Sequence, residues 1–324
     1  MIQGGVEQKN GLSGTADSAA YLWGLQVRPA RPAAVDGPAR AAARFGLSFG
    51  FNLRPLPPLS CLRLQFVRPK KHLGQHFLRD ETIAARIVGA LALPGGARQV
   101  LEVGPGMGVL TKYLVEDARF RTTVVDVDTE STAWVRQHFP LLAADQVIEA
   151  DFLRLDLSAA LPGPLAVIGN FPYNISTQIY FHLLAHRGQV TEIVGMLQRE
   201  VAERLAAPPG VRATGVLSVL LHAFYDVELL FLVPASVFQP PPKVESAVIR
   251  CVRNGRERLD CDEKRFQQVV KQAFSTRRKT LRNALKPLGL SAETVADPLF
   301  DRRAEELSVA DFEHLTRLAE AVAR

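Results

Sequence analysis

Cysteine is scarce in this chain. Its three cysteines in 324 residues, Cys61, Cys251 and Cys261, are odd in number and far apart, which excludes a disulfide framework and a zinc site of paired Cys-x-x-Cys type. A reducing, cytoplasmic setting is the expectation. Long apolar runs are also missing: the nearest to one, residues 229–238, is interrupted by Pro234 and Ser236 and falls well short of the roughly 18 residues of a spanning helix. No membrane partner is expected. Charge of one sign is weaker than it first looks, because residues 1–66 hold seven basic and three acidic side chains, +4 of the total +6, and leave only +2 to residues 67–324. A net charge this small in the organised part cannot by itself define a nucleic-acid binder. The hydrophobic share of 47% and charged share of 22% are those of an ordinary globular protein, at a length suited to about two domains.

Residues 1–66 are rich in Ala, Gly, Pro and Arg and show neither helical nor alternating period, so a disordered, dispensable extension is expected there. The stretch is Arg-bearing and acid-poor like a transit peptide, but its start is not amphipathic. The next methionine after Met1 is Met107, inside a motif, while organised sequence begins at Val67; this fits a start codon assigned too far upstream. Peptides from the first 60 residues in protein from the native host would refute that idea.

From Val67 the pattern alternates helix and strand with short punctuated connections, as in a wound α/β sheet. Strands are predicted over 100–103, 122–127, 147–150, 165–169, 192–197, 227–233 and 246–252, the last two as an antiparallel pair around the prolines at 240–242. Helices are predicted over 81–93, 108–116, 130–138, 176–186, 200–205 and 215–225. After Asn254 only helical periods remain, with Phe266, Val269, Val270 and Phe274 on one face and Phe312, Leu315, Leu318, Ala319 and Val322 on another. The predicted organisation is a catalytic domain over 67–254 and a small all-helical domain over 255–324.

Leu101-Glu102-Val103-Gly104-Pro105-Gly106-Met107-Gly108 follows a buried strand and opens a helix, placing glycines where backbone must approach a ligand. No Gly-Lys-Ser/Thr follows, and the Gly-x-Gly-x-Gly spacing misses the dinucleotide Gly-x-Gly-x-x-Gly, so the loop suits a smaller nucleoside with an amino-acid tail, as in S-adenosylmethionine. Asp126, 20 residues beyond Gly106 at a strand end, can accept from both ribose hydroxyls, with Asp128 as the competing candidate. Asp151 can accept from the adenine amine while Phe152 covers the ring. Each acid alone would be read as a helix cap; three such features at consecutive strand ends mark a nucleoside site.

Asn170-Phe171-Pro172-Tyr173 ends the fourth strand. An exocyclic adenine amine is a poor nucleophile because its lone pair is delocalised into the ring. An Asn side-chain carbonyl and a backbone carbonyl at the Pro can accept its two N–H groups and localise that lone pair, Pro fixes the backbone, and Tyr stacks the base for about 1–3 kcal/mol. A bare Asn-x-Pro turn with a core Tyr is the bland alternative.

The chain resembles the small-subunit ribosomal RNA adenine dimethyltransferase family over nearly all of residues 67–324. The resemblance is carried by Lys70-Lys71-His72-Leu73-Gly74-Gln75-His76-Phe77-Leu78, the Glu102 to Gly108 loop, Asn170 to Tyr173, Gln198-Arg199-Glu200-Val201-Ala202 and Val237-Phe238-Gln239-Pro240-Pro241-Pro242-Lys243-Val244. It implies a Rossmann-like, seven-stranded class I methyltransferase that moves four methyl groups from S-adenosylmethionine to the N6 amines of two adjacent adenosines in a hairpin loop near the 3′ end of that RNA, within a pre-ribosomal particle. By position it implies cofactor contacts at His76, Leu78, Gly104, Gly106, Asp126, Asp151 and Asn170, and catalytic roles for Asn170, Pro172, Tyr173 and Phe238, with Phe238 facing Tyr173 across the target base. Asp126 stands where the family usually has Glu, and Phe171 where Leu or Ile is common.

Arg68, Lys70 and Lys71 ahead of the cofactor site, and Arg277, Arg278, Lys279, Arg282 and Lys286 in the helical region, form two basic groups suited to phosphates. His182 and His186 read as a solvated pair, and no metal site is expected. A monomer is expected. The alternatives are a large-subunit rRNA adenine methyltransferase of the antibiotic-resistance type, a DNA adenine methyltransferase, which would normally have Pro-Pro in the tetrapeptide, and a mainly non-catalytic ribosome-assembly or mitochondrial transcription factor.

Overall fold

The structure is a computed structural model that describes residues 67–276 and 278–321. The expectation for residues 1–66, and that for Arg277, lie outside the described residues. The sheet strands are β2 (Gln99–Val103), β3 (Arg121–Asp126), β4 (Val147–Glu149), β5 (Leu165–Asn170), β6 (Val190–Gln198), β7 (Tyr225–Val233) and β9 (Ser246–Arg253). They form one sheet in the order β4-β3-β2-β5-β6-β9-β7, in which β9 is wedged antiparallel between β6 and β7 and the others up to β6 run parallel. This is the wound α/β sheet read from the sequence. A further antiparallel pair, β1 (Phe77–Leu78) with β8 (Phe238–Gln239), sits apart from it.

The central strands are mostly apolar because helices cover both sides, with Glu102 and Glu192 as buried exceptions. Alternate residues serve opposite faces: Leu101, Leu165, Val167 and Ile193 pack into one cluster, whereas Val100, Ala166, Ile168 and Val194 pack into the other. The second cluster is closed by α1 (Glu81–Gly89), capped by Asp80 accepting from the Ile83 N–H at 3.0 Å and burying Ile83, Ala84, Ile87 and Val88. That helix ends four residues before the predicted stop. The buried Glu192 carboxylate accepts the N–H groups of Ala92 and Leu93 at 2.9–3.1 Å, drawing this stretch out of helix and leaving Leu93 at φ 52°.

In the next connections α2 (Thr111–Glu116) starts three residues later than predicted, after Gly108 at φ 81°, and α3 (Thr129–His138) is capped by Asp128. A short α4 (Leu157–Ala160) precedes β5, and α5 (Ser176–Ala185), α6 (Arg199–Ala206) and α7 (Val216–His222) surround the last strands. Beyond Arg253 the chain is helical, with α8 (Glu263–Ala273), the one-turn α9 (Leu281–Ala284) and α10 (Ala292–Val295), and α11 (Val309–Ala321). Phe266, Val269, Val270, Phe312, Leu315 and Ala319 are buried in the same cluster as Leu183 and Phe224, so the C-terminal helices share a core with the sheet layer. Phe274 and Leu318, predicted on those faces, are only half-buried, and Val322 lies outside the described residues. Among the described residues no helix is long and apolar enough to cross a membrane.

Candidate functional site

The carboxyl ends of the parallel strands open into one cavity lined by Gly104, Gly106, Asp126, Asp151, Asn170, Pro172 and Tyr173, and His76 reaches it from the segment before β1. The glycines do different work. Gly104 has φ 72°, and a Cβ there would project toward the cavity with only Pro172 Cδ within reach, at 4.0 Å. A Cβ on Gly106 would strike the Phe77 ring at 2.8 Å, and one on Gly108 would overlap the Phe139 ring. Gly108 therefore serves packing and not ligand approach, a correction to the reading of all three as ligand glycines.

Two acids of the β3 turn are sorted by their partners. Asp126 is 9% exposed and lines the cavity; its Oδ1 accepts the Asp128 N–H at 2.9 Å, and burial pushes its carboxyl up to about 6. Asp128 is enclosed and fully engaged, accepting from the Glu130 N–H at 3.0 Å, Lys70 Nζ at 2.5 Å and Gln75 Nε2 at 3.0 Å. Burial raises its carboxyl, but the bonds from Lys70 and Gln75 outweigh that and hold it below the ordinary value. Asp126, not Asp128, is the acid that lines the cavity. Beneath it Glu102, 1% exposed, accepts from Thr111 Oγ1 at 2.6 Å and is pushed up to about 8 by burial, with Asp126 adding to the rise.

Asp151 lines the cavity and also caps the following turn, accepting the Leu153 N–H at 3.0 Å and pairing with Arg154 Nε at 3.4 Å. Phe152 does not cover the cavity: it is 5% exposed and sits edge-on to His182 at 5.0 Å, while Leu153 takes the lining position. His182 is not a solvated partner of His186 either, since its Nε2 bonds the Leu155 carbonyl oxygen at 3.0 Å and burial pushes it down to about 4. Among the described residues, no three His, Cys, Asp or Glu side chains gather as a metal site would require.

At the end of β5 the Asn170 Nδ2 donates to the His76 carbonyl oxygen at 2.7 Å, which leaves Oδ1 as the acceptor on offer to the cavity. Phe171 points away into the core at 1% exposure, in a slot left by Gly169 and Gly195, where a Cβ would come within 2.8 Å and 2.6 Å of its ring. The Tyr173 hydroxyl and Ser246 Oγ are hydrogen-bonded at 2.5 Å, and the Tyr173 ring stacks on the His76 imidazole, centroids 5.4 Å apart. His76 Nδ1 in turn bonds the Pro240 carbonyl oxygen at 2.8 Å.

Four predicted site residues lie elsewhere. Phe238 is 3% exposed and Leu78 4%; both pack with Ile83 and Ile87 because the β1–β8 pairing sets them opposite each other on the core side. Neither lines the cavity; both side chains are packed into the core beside α1, where the resemblance implies catalytic and cofactor contacts. Lys70 is paired with Asp128 and, at 3.2 Å, with Glu130. Arg282 is held by Asp301 Oδ1 at 2.8 Å and the Val295 carbonyl oxygen at 2.9 Å. Arg68, Lys71, Arg278, Lys279 and Lys286 are exposed. What sequence reading missed is the role of Gln75 and of the His76 carbonyl, which bridge to residues 53 and 94 positions away and leave no local pattern.

A parallel-centred seven-stranded sheet with a cleft at its carboxyl edge, bordered by a glycine loop and an Asn-Phe-Pro-Tyr turn, defines a class I methyltransferase. The family model described as ribosomal RNA adenine dimethylase matches residues 67–318, and the chain belongs to that family. It is 54% identical over 255 residues to the ribosomal RNA small subunit methyltransferase A of Cytophaga hutchinsonii, covering 79% of this chain and 98% of that protein. The protein of the same name from Parabacteroides distasonis is 53% identical over 262 residues, covering 79% and 96%. Among solved structures, a dimethyladenosine transferase from Plasmodium falciparum superposes with a TM-score of 0.62 at 23% identity, covering 74% of this chain and 96% of that one. The 23S rRNA methyltransferase ErmE superposes with a TM-score of 0.59 at 25% identity, covering 76% and 100%.

Proposed function

We propose that this protein dimethylates the N6 amines of two adjacent adenosines in a hairpin loop near the 3′ end of small-subunit rRNA, using S-adenosylmethionine. The reading is carried by one observation: the Asn170 amide is fixed by the His76 carbonyl so that Oδ1 is available beside Tyr173, in the same cavity as Asp126 and Gly104. Bound there, S-adenosylmethionine supplies an electrophilic methyl group on a sulfonium. The space beside Gly104 and the carboxylate of Asp126 suit its nucleoside and tail.

Asn170 Oδ1 accepts one N–H of the adenine amine and a backbone carbonyl of the Asn170–Pro172 turn accepts the other, drawing the lone pair toward the incoming methyl. Tyr173 supports the base by stacking, its hydroxyl tied back to Ser246. No strong base is needed, since attack on a cationic donor gives a product that loses its proton to water. The protein acts in the cytoplasm, as a monomer, on a precursor particle that presents the 3′ region of the RNA, through a catalytic unit over 67–254 and a helical unit over 255–324 that grips phosphates.

The test is tritiated methyl transfer to immature small subunits from a strain lacking this modification, followed by mapping. Label on two adjacent adenosines near the 3′ end is expected. Label on large-subunit RNA, or none on either, would overturn the proposal.

A further inference from the structure

Lys70 belongs by sequence pattern among the phosphate-gripping residues, but its surroundings are those of the cofactor cavity. Its Nζ lies 2.5 Å from Asp128 Oδ1 and 3.2 Å from Glu130 Oε1, and the Asp128 carboxylate it meets has no exposed side-chain surface. Gln75 braces the same joint from both ends: its Oε1 accepts the Lys70 N–H at 2.9 Å and its Nε2 donates to Asp128 Oδ2 at 3.0 Å. The segment that begins at Lys70 carries Leu73, Gly74, Gln75, His76 and Phe77 along one wall of the cavity. On the other side of the joint, the Asp128 N–H holds the Asp126 carboxylate at 2.9 Å. One ion pair thus fastens the N-terminal strap to the acidic turn that presents Asp126.

We propose that Lys70 is a positioning residue of the cofactor site: by neutralising Asp128 it latches the strap of residues 70–77 over the cavity and keeps the turn at 126–130 in the shape that offers Asp126 to the ligand. The proposal rests on the reading of the cavity as a nucleoside site. Without Lys70 the enclosed Asp128 carboxylate keeps only Gln75 and the Glu130 N–H, and its charge stands unbalanced beside Asp126 and Glu130. A buried carboxylate stripped of its cation is strongly unfavourable, and the turn opens or the strap lifts to bring in water. The interaction with substrate RNA is untouched, because the ammonium group is already spent on two carboxylates.

The experiment measures affinity for S-adenosylhomocysteine by calorimetry, and affinity for a short hairpin copy of the rRNA 3′ region across a salt series, on the full chain. Lys70→Met is expected to weaken S-adenosylhomocysteine about tenfold or more while leaving the salt dependence of hairpin binding as in the wild type. Lys70→Arg keeps the charge and binds the ligand near the wild-type level. Asp128→Asn added to Lys70→Met recovers most of the loss, because the orphaned charge is gone while an oxygen remains to cap α3; a thermal melt of each variant beside the titration separates a lost latch, with the melting temperature kept, from a lost fold. If Lys70→Met binds S-adenosylhomocysteine like the wild type and its salt slope is shallower by about one phosphate's worth, the residue belongs to the RNA surface and the latch is wrong. Failure of Asp128→Asn to rescue also overturns it. Absence of binding by the wild type itself would instead bring down the nucleoside reading on which the latch stands.

Discussion

Asp126 has to be buried enough to give strong hydrogen bonds to a ligand and ionised enough to accept them. Burial pushes its carboxyl up to about 6, while the N–H groups of Asp128 and Gly106 work in the opposite direction. If Asp126 holds the ribose hydroxyls as proposed, its ionised form accepts from both and its protonated form has lost one acceptor site, so ligand binding is full above that value and falls as pH drops through it. S-adenosylhomocysteine affinity should therefore weaken by about tenfold from pH about 7 to about 5, and Asp126→Asn should bind at the low-pH level with a flat profile, both read by calorimetry. On the proposed mechanism Asn170 serves the chemistry and little of the binding: Asn170→Ala removes the Oδ1 acceptor and should lower methyl transfer by at least about a hundredfold. Filter binding of the hairpin should change by less than about threefold, since phosphate contacts supply most of that affinity. Loss of both together would contradict the assigned role. The placement of Asp126, Asp151 and Asn170 on the cavity was legible because each stands at or just past the end of a strand, where period and punctuation fix the position. Which acid of the Asp126/Asp128 pair faces the ligand was not, since that is decided by Lys70 and Gln75 arriving from far along the chain.

At the level of elements, the glycine loop shows what a sequence pattern compresses. Gly104 and Gly108 both have positive φ, 72° and 81°, yet one faces the cavity and the other a phenyl ring. Gly104→Ala should cost roughly 1 kcal/mol of stability from backbone strain and, on the proposed reading, a much larger factor in S-adenosylhomocysteine affinity, since Gly104 lines the cavity. Gly108→Ala adds overlap with Phe139 and should lower the melting temperature more than Gly104→Ala does. A thermal melt beside a ligand titration separates the two; equal melting losses would refute the division of labour. The strands of the main sheet were legible as apolar runs between turns, whereas β1 and β8 were not, because two residues show no alternation. That unseen pairing is what turns Phe238 inward, and a residue-by-residue resemblance carries no record of side-chain direction. The early end of α1 was hidden for the same reason, its cause being Glu192, one hundred positions away from Ala92.

For the whole molecule, the distribution of charge matters more than its sum. Of the basic residues first grouped as phosphate contacts, Lys70 and Arg282 are bound within the fold, and Arg68, Lys71, Arg278, Lys279 and Lys286 remain exposed. Arg278 and Lys279 lie in the turn between α8 and α9, whose Phe266 and Leu281 are buried in the core behind the sheet, so a phosphate bound at that turn would stand in fixed relation to Asn170. That geometry suits a structured RNA, whose backbone and target base must be engaged at once. Arg278→Gln with Lys279→Gln should weaken hairpin binding in low salt and flatten the plot of log affinity against log salt by roughly 0.7–0.9 for each phosphate no longer neutralised. Ligand affinity in the cavity should not move, because neither residue reaches its lining. An unchanged salt slope would take the helical face out of the RNA surface and leave Arg68 and Lys71 beside the cofactor strap as the remaining candidates.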